Sequence, residues 1–197
     1  MPTADLKDHL SKKPTETPED SELRANLKGL LEASYDKGIT DVNGYKQDKS
    51  LSTGKTKVFV NDEGKTVVAH RGTDSMQDWS NNLAYAVGGN ALYKTTDRYK
   101  QAKRIQRQAE KKYGRENVST VGHSQGGLQA ELLGKKGSET ITYNKASRPF
   151  TNVPSKNQTD IRTSNDLVSS LNTNKKGITI KSKSSNPLKE HSLQRLR

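Results

Sequence analysis

The sequence predicts an α/β fold in which helices cover both faces of a mainly parallel central sheet. From residue 57 onward, short apolar runs typical of strands alternate with longer runs typical of helices, the pattern that favours parallel strands. The motif Gly122-His123-Ser124-Gln125-Gly126 separates one such strand from one such helix. A chain of 197 residues is long enough for one domain with a substantial core.

The first part of the chain predicts an arm, a helix and a loop. Residues 1–20 contain Pro14, Pro18 and many charges, so we expect a flexible arm before a single domain over 21–197. A helix is predicted to begin at Ser21-Glu22, because leucines then recur on one helical face, at positions 23, 27, 30 and 31. The polar, glycine-containing stretch 36–54 predicts a loop.

The other predicted strands and helices lie between residues 57 and 181. Two strands, over 57–60 and 65–70, flank the hairpin turn Asn61-Asp62-Glu63-Gly64. A strongly basic helix is predicted from Thr96-Asp97 to Tyr113, before the stop signal Gly114. The rest is predicted as a strand near 117–121, a helix from the serine motif to Leu133, and strands over 140–143, 160–163 and 177–181.

Composition excludes several kinds of site. The chain has no cysteine, which excludes a disulfide, a thiol nucleophile and a zinc–thiolate site. It shows no cluster of metal-ligating residues, so we expect neither a metal nor a cofactor. A formal net charge of +12 favours polyanionic neighbours such as an anionic membrane surface, although a merely solvated basic surface is the alternative. No DNA-binding or RNA-binding motif accompanies the charge, so no specific nucleic-acid partner is expected.

We expect neither a membrane-spanning segment nor a signal peptide from the sequence. No apolar run approaches the roughly 18 residues that span a bilayer. Residues 1–20 lack the apolar segment of a signal peptide. We therefore expect a cytoplasmic or viral-particle setting rather than classical secretion.

The serine motif reads G-x-S-x-G, the nucleophile elbow of α/β-hydrolases. The chain must turn there so sharply that only residues without bulk fit two positions before and two positions after the serine. Gly122 and Gly126 occupy those positions, and the turn presents the Ser124 hydroxyl over the end of the sheet. The sequence thus predicts an α/β-hydrolase fold with Ser124 as the nucleophile.

A serine nucleophile needs a base to remove its proton and an anion to orient that base. In α/β-hydrolases an acid and then a histidine follow the serine. His191 is the only histidine well downstream of Ser124, so we expect it to be the general base. Asp166 follows the strand at 160–163, at the edge of the sheet where ligands bind, whereas Asp160 begins that strand. We therefore expect Asp166 to be the acid.

Acyl transfer passes through an oxyanion, which backbone N–H groups must stabilise. The residue after the nucleophile, Gln125, is expected to supply one of them. The second is expected from Thr73, in the loop Arg71-Gly72-Thr73 that follows a predicted strand.

Several motifs, taken in chain order, resemble those of the class 3 lipases, the family that contains the fungal triacylglycerol lipases. They are the strand end Arg71-Gly72-Thr73, the segment Asp78-Trp79-Ser80-Asn81-Asn82, the elbow with its second glycine Gly127, Asn165-Asp166-Leu167-Val168, and His191-Ser192. The resemblance spans about residues 21–195. It implies Ser124, Asp166 and His191 as a catalytic triad, with Thr73 and Gln125 as the oxyanion hole.

The family's lid position holds only residues 83–93 here, which form either a small mobile flap or a packed connection. Trp79, Leu83 and Tyr85 are the candidate substrate contacts. We expect a serine carboxylic-ester hydrolase, a lipase or esterase with phospholipids among its candidate substrates, that works through an acyl-enzyme. The alternatives are an acyltransferase or peptidase with the same triad, and a non-catalytic binding or structural protein.

Overall fold

The computed structural model describes residues 21–73, 93–146, 154–170, 172 and 177–196. Their strands form one sheet in which β1 to β8 lie side by side in chain order. The strands are β1 (Asp41–Val42), β2 (Tyr45–Gln47), β3 (Thr56–Val60), β4 (Thr66–His70), β5 (Val118–His123), β6 (Thr140–Tyr143), β7 (Gln158–Thr163) and β8 (Ile178–Ile180). The α-helices are α1 (Glu22–Tyr35), α2 (Asp97–Tyr113), α3 (Gln125–Leu133) and α4 (Pro187–His191).

The sheet is mixed but mainly parallel, with helices on both faces. Strands β1 to β4 pair antiparallel, and each neighbouring pair from β4 to β8 is parallel. Val67 and Ala69 of β4 pack in one apolar cluster with the leucines of α1. Val68, between them, packs in another with Ile105 of α2, because successive strand residues face opposite sides. The predicted α/β class with a mainly parallel sheet is confirmed.

Strands β1 and β2 correct the expectation of a loop over 36–54. They are joined by Asn43 and Gly44, whose φ angles of 50° and 88° suit a two-residue hairpin. Val42 and Tyr45 on either side are buried. Strands of two and three residues are too short to show an alternating pattern, so the Asn-Gly pair was the available signal.

Helix α4 lies in the tail, where no element was predicted. Asn186 begins it by accepting the N–H of Leu188 at 3.0 Å, and Pro187 occupies the first turn, a position that favours proline. The helix ends at His191, so the candidate base is part of an ordered element.

A buried ion cluster ties α3 to the strands beside it. The ammonium of Lys145, the second residue after β6, donates to Glu131 of α3 and, at 2.9 Å, to Asp160 of β7. Asp160 also accepts from Thr142 at 2.7 Å and Gln158 at 2.8 Å. Since a buried charge is tolerated only when it is paired, these contacts give Asp160 a structural role within the fold.

Candidate active site

Ser124 lies at the turn from β5 to α3 with a backbone conformation that is unusual for a residue with a side chain. Its φ is 56° and its ψ is −126°, and sparsely populated conformations cost about 1–3 kcal/mol. Neighbouring backbone groups hold it there. Its N–H donates to the Tyr143 carbonyl at 3.1 Å, and its carbonyl accepts the N–H groups of Gly127 and Ala146, each at 2.9 Å. Strain of this kind is concentrated at functional sites.

Two glycines make this turn possible. A Cβ on Gly122 would overlap the backbone oxygen of Gly126, and a Cβ on Gly126 would overlap the backbone oxygen of His70. Backbone atoms cannot swing aside as the end of a flexible side chain can, so neither position accommodates a side chain. The predicted need for residues without bulk on both sides of Ser124 is met in this way.

Asp166 and His191 form a buried hydrogen-bonded pair. Nδ1 of His191 lies 2.8 Å from Oδ1 of Asp166, and the carboxylate also accepts the backbone N–H groups of Val168 at 3.2 Å and Ser169 at 2.8 Å. Burial alone would raise the pKa of Asp166, but the hydrogen bonds from His191 and Ser169 outweigh burial and lower that pKa below its usual value. The charged carboxylate therefore favours the His191 tautomer protonated at Nδ1, which leaves the lone pair on Nε2.

The backbone around His191 is held by polar groups from other elements. The carbonyl of the preceding residue, Glu190, accepts from Nδ2 of Asn144 at 2.9 Å and from Oγ1 of Thr163 at 2.7 Å. The carbonyl of His191 itself lies 2.8 Å from Nε2 of His123. These contacts give the imidazole a defined position beside Asp166.

His123, the residue before Ser124, links three segments through hydrogen bonds. Because the His191 carbonyl only accepts, Nε2 of His123 must carry the proton, and its Nδ1 accepts the Tyr35 hydroxyl at 2.8 Å. The Tyr35 oxygen in turn accepts the N–H of Gly72 at 2.8 Å. One directed chain of hydrogen bonds therefore runs from the loop after β4, through the last residue of α1 and the elbow, to the backbone of His191.

The loop Arg71-Gly72-Thr73 is held from another side by Arg98 of α2. The Arg98 guanidinium donates to the carbonyl of Arg71 and, at 2.9 Å, to that of Gly72. The Gly72–Thr73 peptide is trans, so the Thr73 N–H points away from the Gly72 carbonyl and hence away from Arg98. A Cβ on Gly72 would lie 2.9 Å from the Cβ of Ser124, so this loop and the elbow are in contact.

The structure brings together only some of the predicted site residues. Asp166 contacts His191 directly, and Gly72 lies next to Ser124. Within the described segments no hydrogen bond joins the Ser124 hydroxyl to His191; in enzymes without substrate such bonds are often long. Gln125 is the first residue of α3. Outside the described residues lie Trp79, Leu83, Tyr85, the Asp78–Asn82 segment and most of residues 83–93.

The stability of the protein should depend on pH, because two buried histidines, His70 and His123, are neutral in the folded state. Burial and the charge of Arg98 lower the pKa of His70 to about 3, and burial and the charge of His191 lower the pKa of His123 to about 3. In the unfolded chain both pKa values return to about 6.5, so between about pH 6.5 and about pH 3 the unfolded state binds up to two protons that the folded state does not. The free energy of unfolding should therefore fall with decreasing pH, approaching about 2.7 kcal/mol per pH unit.

Urea unfolding between about pH 7 and about pH 5, above the range where most carboxylates titrate, measures this slope. The variant His123→Asn removes one of the two histidines and should halve the slope, even if it lowers stability at every pH. An unchanged slope in that variant would show that His123 is not the neutral, buried group described here.

The described segments contain no group of three or more His, Cys, Asp or Glu residues that could hold a metal ion. None of the helices within them has both the length and the apolar character of a transmembrane span.

Comparison with protein families places these features in a wider group. A family model described as a Tle-like phospholipase domain matches residues 18–172, which is more than half of the chain. The matched range contains Thr73, Ser124 and Asp166 and ends before His191. No curated protein matches the chain. The match supports a lipase-type or phospholipase-type family and does not single out the class 3 lipases.

Proposed function

The chain belongs to the family of Tle-like phospholipase domains, and from this membership we propose that it hydrolyses the carboxylic ester bonds of phospholipids. In this proposal residues 21–197 form a single α/β-hydrolase domain, with Ser124 as the nucleophile, His191 as the base and Asp166 as the orienting acid. The observation that carries the proposal is the 2.8 Å hydrogen bond between Asp166 and His191, in a chain whose strained serine follows β5.

The proposed reaction proceeds in two halves. Nε2 of His191 takes the proton of Ser124 as Oγ attacks the ester carbonyl carbon, and the charge of Asp166 stabilises the resulting imidazolium. The tetrahedral intermediate collapses, His191 protonates the leaving alcohol, and a lysophospholipid departs from an acyl-Ser124 ester. His191 then deprotonates a water molecule, which hydrolyses this ester, releases the fatty acid and restores Ser124.

The oxyanion of both intermediates is proposed to bind the N–H groups of Gln125 and Thr73. Gln125 begins α3, where N–H groups lack helical partners and the helix dipole favours negative charge. Arg98 supports Thr73 by holding the Gly72 carbonyl on the opposite side of the peptide. Each hydrogen-bond donor that is in place before the reaction increases kcat by about 10²–10³-fold.

Related reactions remain as alternatives to hydrolysis. An acyltransferase or a peptidase could use the same triad, because the triad does not choose the acyl acceptor. Family membership favours a lipid ester, with Trp79, Leu83 and Tyr85 as the proposed substrate contacts. A non-catalytic role is disfavoured because Ser124, Asp166 and His191 are all present.

Product analysis by mass spectrometry tests the reaction. With phosphatidylcholine or phosphatidylglycerol in isotopically labelled water, the protein should release lysophospholipid and a fatty acid that carries the heavy oxygen. Diacylglycerol or phosphatidic acid as the product would place the attack at phosphorus and contradict the proposal. Transfer of the acyl group to an added alcohol, with little free acid, would assign the site to an acyltransferase instead.

A further inference from the structure

One face of α2 carries an unbroken row of basic side chains at three-residue and four-residue spacing, which places them on one side of the helix. They are Lys100, Lys103, Arg104, Arg107 and Lys111. This row, called the basic stripe below, lies opposite the buried residues Ala102, Ile105 and Ala109. At the rise of an α-helix the stripe extends about 17 Å.

Within the described residues, no carboxylate is paired with the basic stripe. None of its five members makes an ion pair or a side-chain hydrogen bond within the part of the chain that is described. The neighbouring carboxylate of Glu110 is engaged by Gln106 at 3.1 Å and Arg115 at 3.4 Å, whereas Lys112, outside the stripe, is paired with Asp48 at 2.7 Å. Like charges one turn apart destabilise a helix, so an anionic partner would relieve the repulsion along the stripe.

The basic stripe begins at the end of α2 that lies nearest the candidate active site. Arg98, two residues before Lys100, holds the carbonyls of Arg71 and Gly72, and Gly72 is in contact with Ser124. Residues two apart on a helix point in different directions, so the stripe lies on the outer face of this same end of α2, and a partner bound to it lies outside the candidate active site.

We propose that the basic stripe docks the protein on the anionic phospholipid surface of a membrane. This choice of partner rests on the proposed function, because a phospholipase must reach lipids that are packed in a surface. The stripe is a straight row of charges on the outer surface of a helix, so all five charges can approach a flat layer of lipid head groups at the same time. A single-stranded nucleic acid is a poorer match for the stripe, because its bases stack on exposed aromatic rings. Helix α2 has two aromatic residues. Tyr99 is buried, and the hydroxyl of Tyr113 donates to Asp48.

Vesicle binding by charge-neutralised variants tests the docking proposal. The stripe variant combines Arg104→Gln, Arg107→Gln and Lys111→Gln, which keep good helix formers on exposed positions. The control variant combines Lys37→Gln, Lys49→Gln and Lys55→Gln, exposed positions elsewhere that remove the same net charge. Both are made with Ser124→Ala, so that vesicles are not consumed, and are sedimented with vesicles of equal parts phosphatidylcholine and phosphatidylglycerol, or of phosphatidylcholine alone.

A basic residue next to an anionic surface strengthens binding by about five-fold, so the stripe variant should bind the anionic vesicles about 100-fold more weakly than its parent. The control variant should bind nearly as well as the parent, and added salt should weaken all binding. Equal loss in the two variants, or equal binding of the parent to neutral vesicles, would overturn the proposal. A different outcome is that a single-stranded oligonucleotide displaces the Ser124→Ala parent protein from anionic vesicles when its phosphates are less concentrated than the anionic lipids. That result would assign the stripe to nucleic acid.

A soluble short-chain ester separates this inference from the proposed function. With Ser124 intact, the stripe variant should hydrolyse such an ester at the unmodified rate while losing activity on vesicles. If the unmodified protein hydrolyses no ester at all, the proposed function fails, and the binding measurements still decide the role of the basic stripe.

Discussion

Replacing Ser124 with alanine should reduce kcat/KM for ester hydrolysis by about 10⁴-fold or more. The hydroxyl is the only group proposed to form the acyl-enzyme, so its loss leaves at most the contribution of substrate binding and the oxyanion hole. The measurement is the initial rate on a soluble ester and on phosphatidylglycerol. Ser138→Ala is the matched control, since Ser138 is exposed and its hydroxyl forms no hydrogen bond within the described residues.

Stability separates a loss of chemistry from a loss of fold in this experiment. Ser124 has φ 56°, so alanine keeps the same backbone strain and should leave the free energy of unfolding nearly unchanged. Glycine tolerates positive φ, so Ser124→Gly should be equally inactive yet more stable by about 1 kcal/mol. Hydrolysis that survives in a folded Ser124→Ala protein would exclude this serine as the nucleophile.

Replacing Lys145 with methionine should lower the free energy of unfolding by about 3–5 kcal/mol. Methionine fills similar space but leaves the carboxylates of Glu131 and Asp160, which are 2% and 1% exposed, without their cation. Small domains are stable by only about 5–15 kcal/mol, so the variant should unfold at a much lower urea concentration. Urea unfolding followed by circular dichroism measures the change.

Two further variants identify the cause of that destabilisation. Lys156→Met removes an exposed lysine and should change stability by less than about 0.5 kcal/mol. Adding Glu131→Gln and Asp160→Asn to Lys145→Met removes the unpaired charges and should recover part of the loss. If Lys145→Met is no less stable than Lys156→Met, the cluster is not the buried ion network that links α3 to β7.

The parts of the fold that could be predicted from the sequence are those marked by a pattern of neighbouring residues. The alternation of apolar runs predicted the parallel half of the sheet, and Gly122 and Gly126 predicted the elbow. Strands β1 and β2 were missed because so few residues show no alternation, although the pair Asn43-Gly44 carried a hairpin signal. Helix α4 was missed because one turn of a polar helix has no apolar face to recognise.

The support around the candidate site could not be predicted from local patterns. Tyr35 ends α1 and contacts Gly72 and His123 from 37 and 88 residues away, and Arg98 reaches Gly72 across 26 residues. Such contacts depend on how the elements pack, and no motif marks them. The pair of Asp166 and His191 was predicted because chain order and position at the end of a strand restricted the choice.

Labelling with a fluorophosphonate is the most direct test of the proposed nucleophile. The reagent forms a covalent bond with a serine that a base activates, and mass spectrometry of the digested protein locates the adduct. The folded protein should carry the adduct on Ser124, and labelling should be lost in Ser124→Ala and greatly slowed in His191→Ala. An adduct on another serine that persists in Ser124→Ala, or no adduct on folded protein that hydrolyses esters, would contradict the assignment of Ser124 as the activated nucleophile.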